Sequence, residues 1–155
     1  MAVTTKVANL AANGSKKHYG YDWIIFKKVK ETLGGRIRLL ISGGAPLSQE
    51  VKNFLTVAFS CPVLEAYGIT ECAGSVTSTS RSESRAGIVG GPLPCLKLKL
   101  KDIPELGYLT TDNPPRGEVC VKGLSVFKGY FRDPSLTRRI LDRDGWLHLG
   151  DVATL

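Results

Sequence analysis

The fold is decided by residues 36–71, which read RIRLLISGGAPLSQEVKNFLTVAFSCPVLEAYGITE. Residues 36–41 are mainly apolar and predict a buried strand, and residues 42–46 break it with two glycines and a proline. A second short apolar strand is predicted for residues 62–66, and residues 67–71 follow it directly as a loop. The segment therefore contains two strands, each of which ends in a loop that is rich in glycine or polar side chains.

Between these strands we predict a helix that begins after Ser48. Serine is a favoured N-cap residue, and Glu50 lies in the first turn, where the helix dipole favours an acid. The apolar residues follow the helical period: Val51, Phe54, Leu55, Ala58 and Phe59. Strand, helix and strand in about 30 residues form a βαβ unit, which requires a parallel sheet and a right-handed crossover. Because ligands bind at the carboxyl ends of such strands, the loops at residues 42–46 and 67–71 form the candidate site.

The segment before this unit shows weaker patterns. Residues 1–19 have no clear periodicity and are predicted to be an arm or a helix remnant. From residue 21 onwards the apolar positions recur at steps of three and four, and Gly34 supplies a C-terminal stop. This pattern predicts a helix with Trp23, Phe26, Val29 and Leu33 on one stripe.

After residue 85 the pattern changes to that of an antiparallel sheet. Leucine and lysine alternate through residues 96–101, which predicts a strand with one face in solvent, and residues 118–122 predict a second strand. Asp133 and Pro134 are a favourable N-cap and first residue for a helix. The predicted fold class is α/β, with an arm at residues 1–19, a parallel α/β portion at 20–85 and a β-rich subdomain at 86–155.

Composition excludes several classes of protein. The chain has 155 residues, of which 43% are hydrophobic and 23% charged, so disorder throughout is excluded and one globular domain is expected. No apolar run is long enough to span a membrane. The four cysteines lack the close spacing of zinc motifs and are predicted to be free thiols in a reducing compartment.

The net charge of +7 lies mostly in the first 60 residues. Such an excess suits nucleic acid, anionic lipid or a phosphorylated ligand, but the lysines are scattered through helical sequence without interleaved aromatics. We therefore interpret the excess as a solvated face and expect no nucleic-acid partner.

The loop at residues 67–71 carries several groups that suit a nucleotide. The Tyr67 ring can stack on a purine, the Thr70 hydroxyl can donate to a phosphate, and the Glu71 carboxylate can hold Mg²⁺. Each of these residues also has a structural explanation, since Tyr67 could be a core residue, Thr70 a turn former and Glu71 a solvated acid. Gly43 and Gly44 suit either a tight turn or the close approach of a ligand. No Walker or dinucleotide-binding pattern occurs, so a nucleotide site would belong to another class.

Four ordered motifs carry a family resemblance: SGGAPLS at 42–48, EAYGITE at 65–71, RGEVCVKGLSVFKGYFRDP at 116–134 and DGWLHLGD at 144–151. From about residue 20 onwards the chain resembles the adenylate-forming (AMP-binding) enzymes, and more narrowly the long-chain acyl-CoA synthetases. The resemblance implies part of the large N-terminal domain of a two-step ligase. In such a ligase a fatty acid carboxylate attacks the α-phosphate of ATP to form an acyl-adenylate, and the CoA thiol then displaces AMP.

The resemblance also implies roles for individual residues. The catalytic residues would be Thr70 and Glu71, and Glu71 would be the metal ligand. Nucleotide contacts are implied for Gly44, Ala45, Pro46, Glu65, Ala66, Tyr67, Gly68, Thr70 and Asp151. Two positions depart from the long-chain pattern, which usually has glycine where Ala66 stands and threonine or serine where Leu149 stands.

The family's phosphate loop and its small C-terminal domain, each of which carries a lysine, are not found in these residues. We therefore expect a fragment that is inactive alone and exposes apolar surface. The complete enzyme would use ATP, Mg²⁺, fatty acid and CoA. It would be intracellular, in the cytoplasm or on the cytosolic face of a membrane such as the endoplasmic reticulum. Peripheral association of the complete enzyme with a membrane is compatible with the resemblance. The alternatives are a CoA ligase for other acyl or aryl acids, and a non-catalytic nucleotide-binding module.

Overall fold

The computed structural model describes all 155 residues and divides into two compact units. Unit 1 comprises Met1–Tyr67 and Ser78–Gly90, and unit 2 comprises Gly68–Thr77 and Gly91–Leu155. The helices are α1 (Ala2–Asn13), α2 (Tyr19–Tyr21), a π-helical turn (Asp22–Phe26), α3 (Lys27–Glu31), α4 (Gln49–Phe59), two 3₁₀ helices (Thr70–Cys72 and Pro104–Leu106) and α5 (Pro134–Ile140). The strands are β1 (Leu40–Gly43), β2 (Val63–Ile69), β3 (Gly74–Ser78), β4 (Gly91–Pro92), β5 (Leu96–Lys101), β6 (Arg116–Gly123) and β7 (Leu147–Thr154).

Unit 1 contains the predicted βαβ unit. Strands β1 and β2 pair in parallel, with Leu40 opposite Val63 and Gly43 opposite Ala66, and α4 connects them. The Ser48 side chain caps α4 by accepting a hydrogen bond of 3.3 Å from the backbone N–H of Val51. The prediction of a parallel α/β portion is confirmed.

The βαβ unit differs from its sequence pattern in two local features. Strand β1 begins at Leu40 rather than at residue 36, and it is not fully buried, since Ile41 is 64% exposed. Of the apolar residues that follow the helical period in α4, Ala58 is buried, but Val51 and Phe54 are 45% and 43% exposed. Its buried residues are Lys52, Thr56, Val57 and Ala58. The helix turns this face inward because the Lys52 ammonium pairs with a buried carboxylate of β2.

The helical stretch before β1 also differs from its prediction. Phe26 is buried, but Trp23 is 72% exposed and Leu33 is 55% exposed. The π-helical turn at Asp22–Phe26 contains both Trp23 and Phe26 and departs from the regular helical period. Leu33 lies beyond α3, which ends at Glu31. Residues 1–19, predicted to be an arm or a helix remnant, include the twelve-residue helix α1.

A buried polar cluster ties α1 to the rest of unit 1. Lys6, which is 1% exposed, donates a hydrogen bond of 2.6 Å to Asp22 and a further one to the carbonyl of Val57. Asp22 also accepts from Lys30 at 3.3 Å and from Ser60 at 3.2 Å. Because a buried ammonium group is costly without partners, this cluster holds the position of α1 in unit 1.

Unit 2 is built on an antiparallel sheet with the order β5-β6-β7. The leucines of β5 are buried or half-buried while its lysines are exposed, which confirms the predicted alternation. Val119, Val121 and Leu147 form the core between β6 and β7. Asp133 caps α5 by accepting from the N–H of Leu136 at 2.8 Å, also as predicted. No helix of the chain is both long enough and apolar enough to cross a bilayer.

Candidate nucleotide site

In unit 1 the glycine-rich loop starts where β1 ends against β2. A Cβ atom at Gly43 would lie 3.0 Å from the carbonyl oxygen of Ala66, so this position requires a small residue. Gly44 has a φ of +87°, which glycine adopts without strain. The loop that follows, with Ala45 and Pro46, is exposed. Gly43 therefore allows β1 to approach β2 closely, and Gly44 allows the chain to turn. Both leave backbone without side chains at the carboxyl ends of the strands.

Glu65 is a buried anchor of β2. Its carboxylate accepts from Lys52 Nζ at 3.1 Å and from the backbone N–H of Gly87 at 3.1 Å. Its backbone N–H donates to the Thr79 hydroxyl at 2.9 Å, and its carbonyl accepts from the Thr79 N–H at 2.9 Å. These bonds fix the strand just before Ala66 and Tyr67, which are both half-buried. A nucleotide contact by Glu65 stays a prediction.

In unit 2 the remaining part of the motif forms a strand end and one turn of 3₁₀ helix. Strand β2 continues to Ile69, so the loop predicted from residue 67 begins at Thr70. A Cβ atom at Gly68 would lie 1.8 Å from the carbonyl oxygen of Gly74, so any larger residue would collide with the backbone. Thr70 is exposed, and Glu71 is half-buried.

The structure joins Glu71 to a second motif of the chain. The Tyr130 hydroxyl donates to Glu71 Oε1 at 2.5 Å, and the backbone N–H of Phe127 donates to the Glu71 carbonyl at 2.8 Å. The rings of Phe127 and Tyr130 meet edge to face, with centroids 5.0 Å apart. The hydrogen bond to Glu71, followed by burial and the carboxylate charge, raises the pKa of Tyr130. Tyr130 thus contacts the proposed metal ligand, although the sequence alone assigned it no role.

Asp151 lies near the middle of β7 with an exposed side chain, and Leu149 precedes it in the same strand. Two cavities of about 590 and 600 Å³ occur in unit 1, the first lined by residues 17–35 and the second mainly by α1, α4 and residues 81–85. Neither cavity is lined by a predicted site residue. The roles assigned to the nucleotide-binding and catalytic residues therefore rest on the motifs and stay predictions.

A second cluster of chemically active groups in unit 2 was not predicted. Glu118, Cys120 and His148 bring one ligand atom each to within 4.8 Å of one another. His148 Nδ1 lies 2.9 Å from Glu118 Oε2 and 3.5 Å from Cys120 Sγ. Burial, followed by the charge of Glu118, raises the pKa of the Cys120 thiol to about 11. The signal in the sequence was only the spacing of residues 118 and 120, which puts both on one face of a strand.

Comparison with known proteins gives one family. The model described as "AMP-binding enzyme" matches residues 1–131. The chain is 46% identical over 141 residues to "Long chain acyl-CoA synthetase 7, peroxisomal" of Arabidopsis thaliana, covering 90% of this chain and 20% of that protein. It is 44% identical over 147 residues to "Long-chain-fatty-acid–CoA ligase 1" of Homo sapiens, covering 95% of this chain and 21% of that protein. The chain thus spans about a fifth of the length of these relatives.

Solved structures show the same fold. The adenylation domain of a carboxylic acid reductase from Segniliparus rugosus, in complex with AMP and a co-purified carboxylic acid, matches with a TM-score of 0.67 and 31% identity over 99% of this chain and 23% of that one. Apo MatB from Rhodopseudomonas palustris matches with a TM-score of 0.65 and 37% identity over 81% of this chain and 24% of that one. The mixed α/β fold predicted from the sequence is therefore that of adenylating enzymes.

Proposed function

The chain belongs to the AMP-binding enzyme family and is homologous to long-chain acyl-CoA synthetases, and from this premise we propose that it is part of a long-chain fatty acid–CoA ligase. Such a ligase joins a fatty acid carboxylate to the α-phosphate of ATP, releases pyrophosphate, and then transfers the acyl group from AMP to the CoA thiol. The observation that carries the proposal is the 46% identity with a long chain acyl-CoA synthetase over 90% of the chain. The parallel strands β1 and β2 support it, because their loops carry the motifs of the family.

In unit 1 we assign the adenine side to the loops after β1 and within β2. Backbone at Gly44, Ala45 and Pro46 is exposed and lacks bulky side chains, so a flat ring could approach it closely. Tyr67 supplies an aromatic face next to Ala66, and the four hydrogen bonds of Glu65 hold this part of β2 rigid. Pre-positioned groups of this kind raise affinity because little freedom is lost on binding.

In unit 2 we assign the phosphate contact to Thr70 and the magnesium contact to Glu71. The fit to Mg²⁺ rests on the donor set: Glu71 is a half-buried carboxylate with one hydrogen bond from Tyr130, so an oxygen remains to bind a hard cation. Mg²⁺ would offset the charge of the polyphosphate. The exposed Thr70 hydroxyl would donate to a phosphate oxygen, and Asp151 would accept from the ribose hydroxyls.

The proposed partners of the complete enzyme are small molecules: ATP, a fatty acid and CoA. We place it inside the cell, in the cytoplasm or on the cytosolic face of a membrane such as the endoplasmic reticulum. Two of the similar plant synthetases are named as peroxisomal. Peripheral association with a membrane would bring the enzyme close to fatty acids that are dissolved in the bilayer.

A segment exchange tests the proposal. The matching 141 residues of the Arabidopsis thaliana synthetase are replaced by those of this chain, and acyl thioester formation is measured with ATP, CoA and acids of different lengths. We expect a chimaera that is active on long-chain acids. Activity on short or aryl acids only would favour another acid–CoA ligase, and AMP binding without thioester formation would favour a non-catalytic module.

Single substitutions in the chimaera test the residue roles. Glu71→Ala is expected to lower pyrophosphate release at least tenfold at limiting Mg²⁺, whereas Glu105→Ala, which removes an exposed acid from the same unit, is the control. Asp151→Asn is expected to raise the KM for ATP more than that for the acid. Tyr67→Ala is expected to weaken AMP binding by about 1–3 kcal/mol, as for bases stacked on aromatic side chains. An unchanged rate in Glu71→Ala would refute the metal role.

A further inference from the structure

The strongest feature outside the proposed nucleotide site is the cluster of Glu118, Cys120 and His148 in unit 2. Glu118 and Cys120 are two residues apart in β6, and Cys120 lies directly opposite His148 in the antiparallel strand β7. This arrangement brings the three side chains together on one face of the sheet. The register of β6 against β7 shifts between Glu118 and Cys120, so the strand pairing is irregular at the cluster.

We propose that this cluster binds a divalent transition metal ion of the zinc class through Glu118, Cys120 Sγ and His148 Nδ1. A carboxylate, a thiolate and an imidazole are the three protein ligands that Zn²⁺ prefers. With metal–ligand bonds of about 2.0–2.3 Å, neighbouring ligand atoms in a tetrahedral site lie about 3.3–3.8 Å apart. The observed 3.5 Å between Cys120 Sγ and His148 Nδ1 lies in that range, and the 2.9 Å between Nδ1 and Glu118 Oε2 requires a small opening. The ligand atoms of Glu118 and Cys120 lie within 4.8 Å of each other, so side-chain rotation can bring this third pair into the range.

Asp142 supplies the outer support that such a histidine needs. Its Oδ2 atom lies 3.5 Å from His148 Nε2. In the metal-bound form, a proton on Nε2 directed at this carboxylate would leave the lone pair of Nδ1, the nitrogen that faces Glu118 and Cys120, for the metal. Carboxylate support of a ligating imidazole is the usual arrangement in protein zinc sites and fixes both the tautomer and the ring orientation. Asp142 is therefore assigned as a positioning residue and not as a ligand.

The surroundings set the class of site. A cavity of about 290 Å³, lined by Glu118, Asp142 and His148 together with Lys101, Arg138 and Arg139, adjoins the cluster. Water in this cavity can take the fourth coordination position. The three basic side chains disfavour a cation, so the affinity is expected to be lower than that of a structural zinc site with four protein ligands. Without metal, the 2.9 Å contact between Nδ1 and Glu118 is a hydrogen bond that needs a proton on Nδ1. Binding to a neutral imidazole moves this proton from Nδ1 to Nε2 and releases the thiol proton to solvent, so the divalent ion adds one net positive charge.

Titration of the 155-residue chain with Co²⁺ in place of Zn²⁺ tests the proposal, because a cobalt–thiolate bond gives a strong near-ultraviolet absorption band. We expect one equivalent of Co²⁺ to produce the band and added Zn²⁺ to remove it. Cys120→Ser should abolish the band. Cys95→Ser should keep it, since Cys95 is an exposed thiol in the same unit and is the matched control.

Three further variants separate metal binding from structural damage. Glu118→Gln and His148→Gln keep the size of the side chain and should weaken Co²⁺ binding at least tenfold. Asp142→Asn should weaken it by about 10–100-fold while leaving the band position unchanged, as expected for a residue that acts through His148. Circular dichroism identifies any variant that fails to fold. A band that survives in Cys120→Ser, is lost in Cys95→Ser, or never forms in the wild-type chain would overturn the proposal.

Discussion

The Tyr130 hydroxyl donates a hydrogen bond of 2.5 Å to the Glu71 carboxylate, although the two residues are 59 positions apart in the chain. The contact joins two of the motifs that carry the family resemblance, since Glu71 ends EAYGITE and Tyr130 lies in KGYFRDP. Partners of metal-binding carboxylates orient them and are often as necessary as the ligands. We therefore expect Tyr130 to orient the carboxylate of Glu71, the proposed magnesium ligand.

Tyr130→Phe in the chimaera tests this role. Removal of the hydroxyl leaves Glu71 without its orienting donor, so the Mg²⁺ concentration for half-maximal activity should rise up to about tenfold, with little change in kcat at saturating Mg²⁺. The measurement is the initial rate of pyrophosphate release over a range of Mg²⁺ concentrations. Tyr108→Phe removes a hydroxyl elsewhere in unit 2 and is the control. An unchanged or lower requirement for Mg²⁺ in Tyr130→Phe would contradict the role.

Gly68→Ala should disrupt the loop that carries Thr70 and Glu71. The added Cβ would lie 1.8 Å from the carbonyl oxygen of Gly74, so the backbone must move. We expect a loss of about 1–3 kcal/mol in the free energy of unfolding, measured by urea titration followed by circular dichroism. Gly91→Ala is the matched control, because a Cβ there meets no atom within 4 Å. Equal stability of the two variants would refute the steric argument.

The features that the sequence predicted correctly are those set by near neighbours in the chain. The caps at Ser48 and Asp133 act on N–H groups three residues away, and both form as predicted. The alternation of leucine and lysine in β5 is likewise a local pattern, and it predicts correctly that the leucine face is the more buried one. The parallel pairing of β1 and β2 followed from a connection too long for a hairpin.

The features that the sequence did not predict depend on distant partners. The buried face of α4 is set by Lys52, whose partner Glu65 lies in the next strand, and a pattern of apolar residues cannot report such a pair. Trp23 and Phe26 lie in a π-helical turn, which departs from the regular helical period on which the prediction of one stripe depended. His148 approaches Cys120 across 28 residues, so the metal-ligand cluster is visible only once the strands are paired.

Lys52→Met should destabilise unit 1 strongly. The side chains of Lys52 and Glu65 are 3% and 6% exposed, and their nitrogen–oxygen distance is 3.1 Å. Loss of the ammonium leaves a buried carboxylate without a counter-ion, which costs about 3–5 kcal/mol. The double variant Lys52→Met with Glu65→Gln removes the charge and should recover most of this loss in urea unfolding. A double variant as unstable as the single one would show that packing, and not charge, explains the effect.

Asp22 should make the stability of unit 1 depend on acid pH. Burial alone would raise the pKa of this carboxyl, but hydrogen bonds from Lys6 and the backbone N–H of His18, with the charge of Lys6, hold it below its usual value. Lys6 also has a lowered pKa, because its burial outweighs the attraction of Asp22. For an acid whose pKa is lower in the folded state, the stabilisation is complete above the unfolded value of about 3.9 and is lost as the pH falls through the folded value.

The corresponding variant is Asp22→Asn, compared with the wild-type chain by urea unfolding between about pH 7 and pH 3. Near neutral pH the variant should be less stable, because Lys6 loses the counter-ion of its buried ammonium. Below about pH 4 the difference should shrink, since Asp22 of the wild-type chain takes up a proton first in the unfolded state and, at lower pH, in the folded state. Asp144→Asn, which removes an exposed acid from unit 2, is the control for the change in charge. A stability difference that stays constant over this range would show that the ion pair of Asp22 does not cause the acid sensitivity.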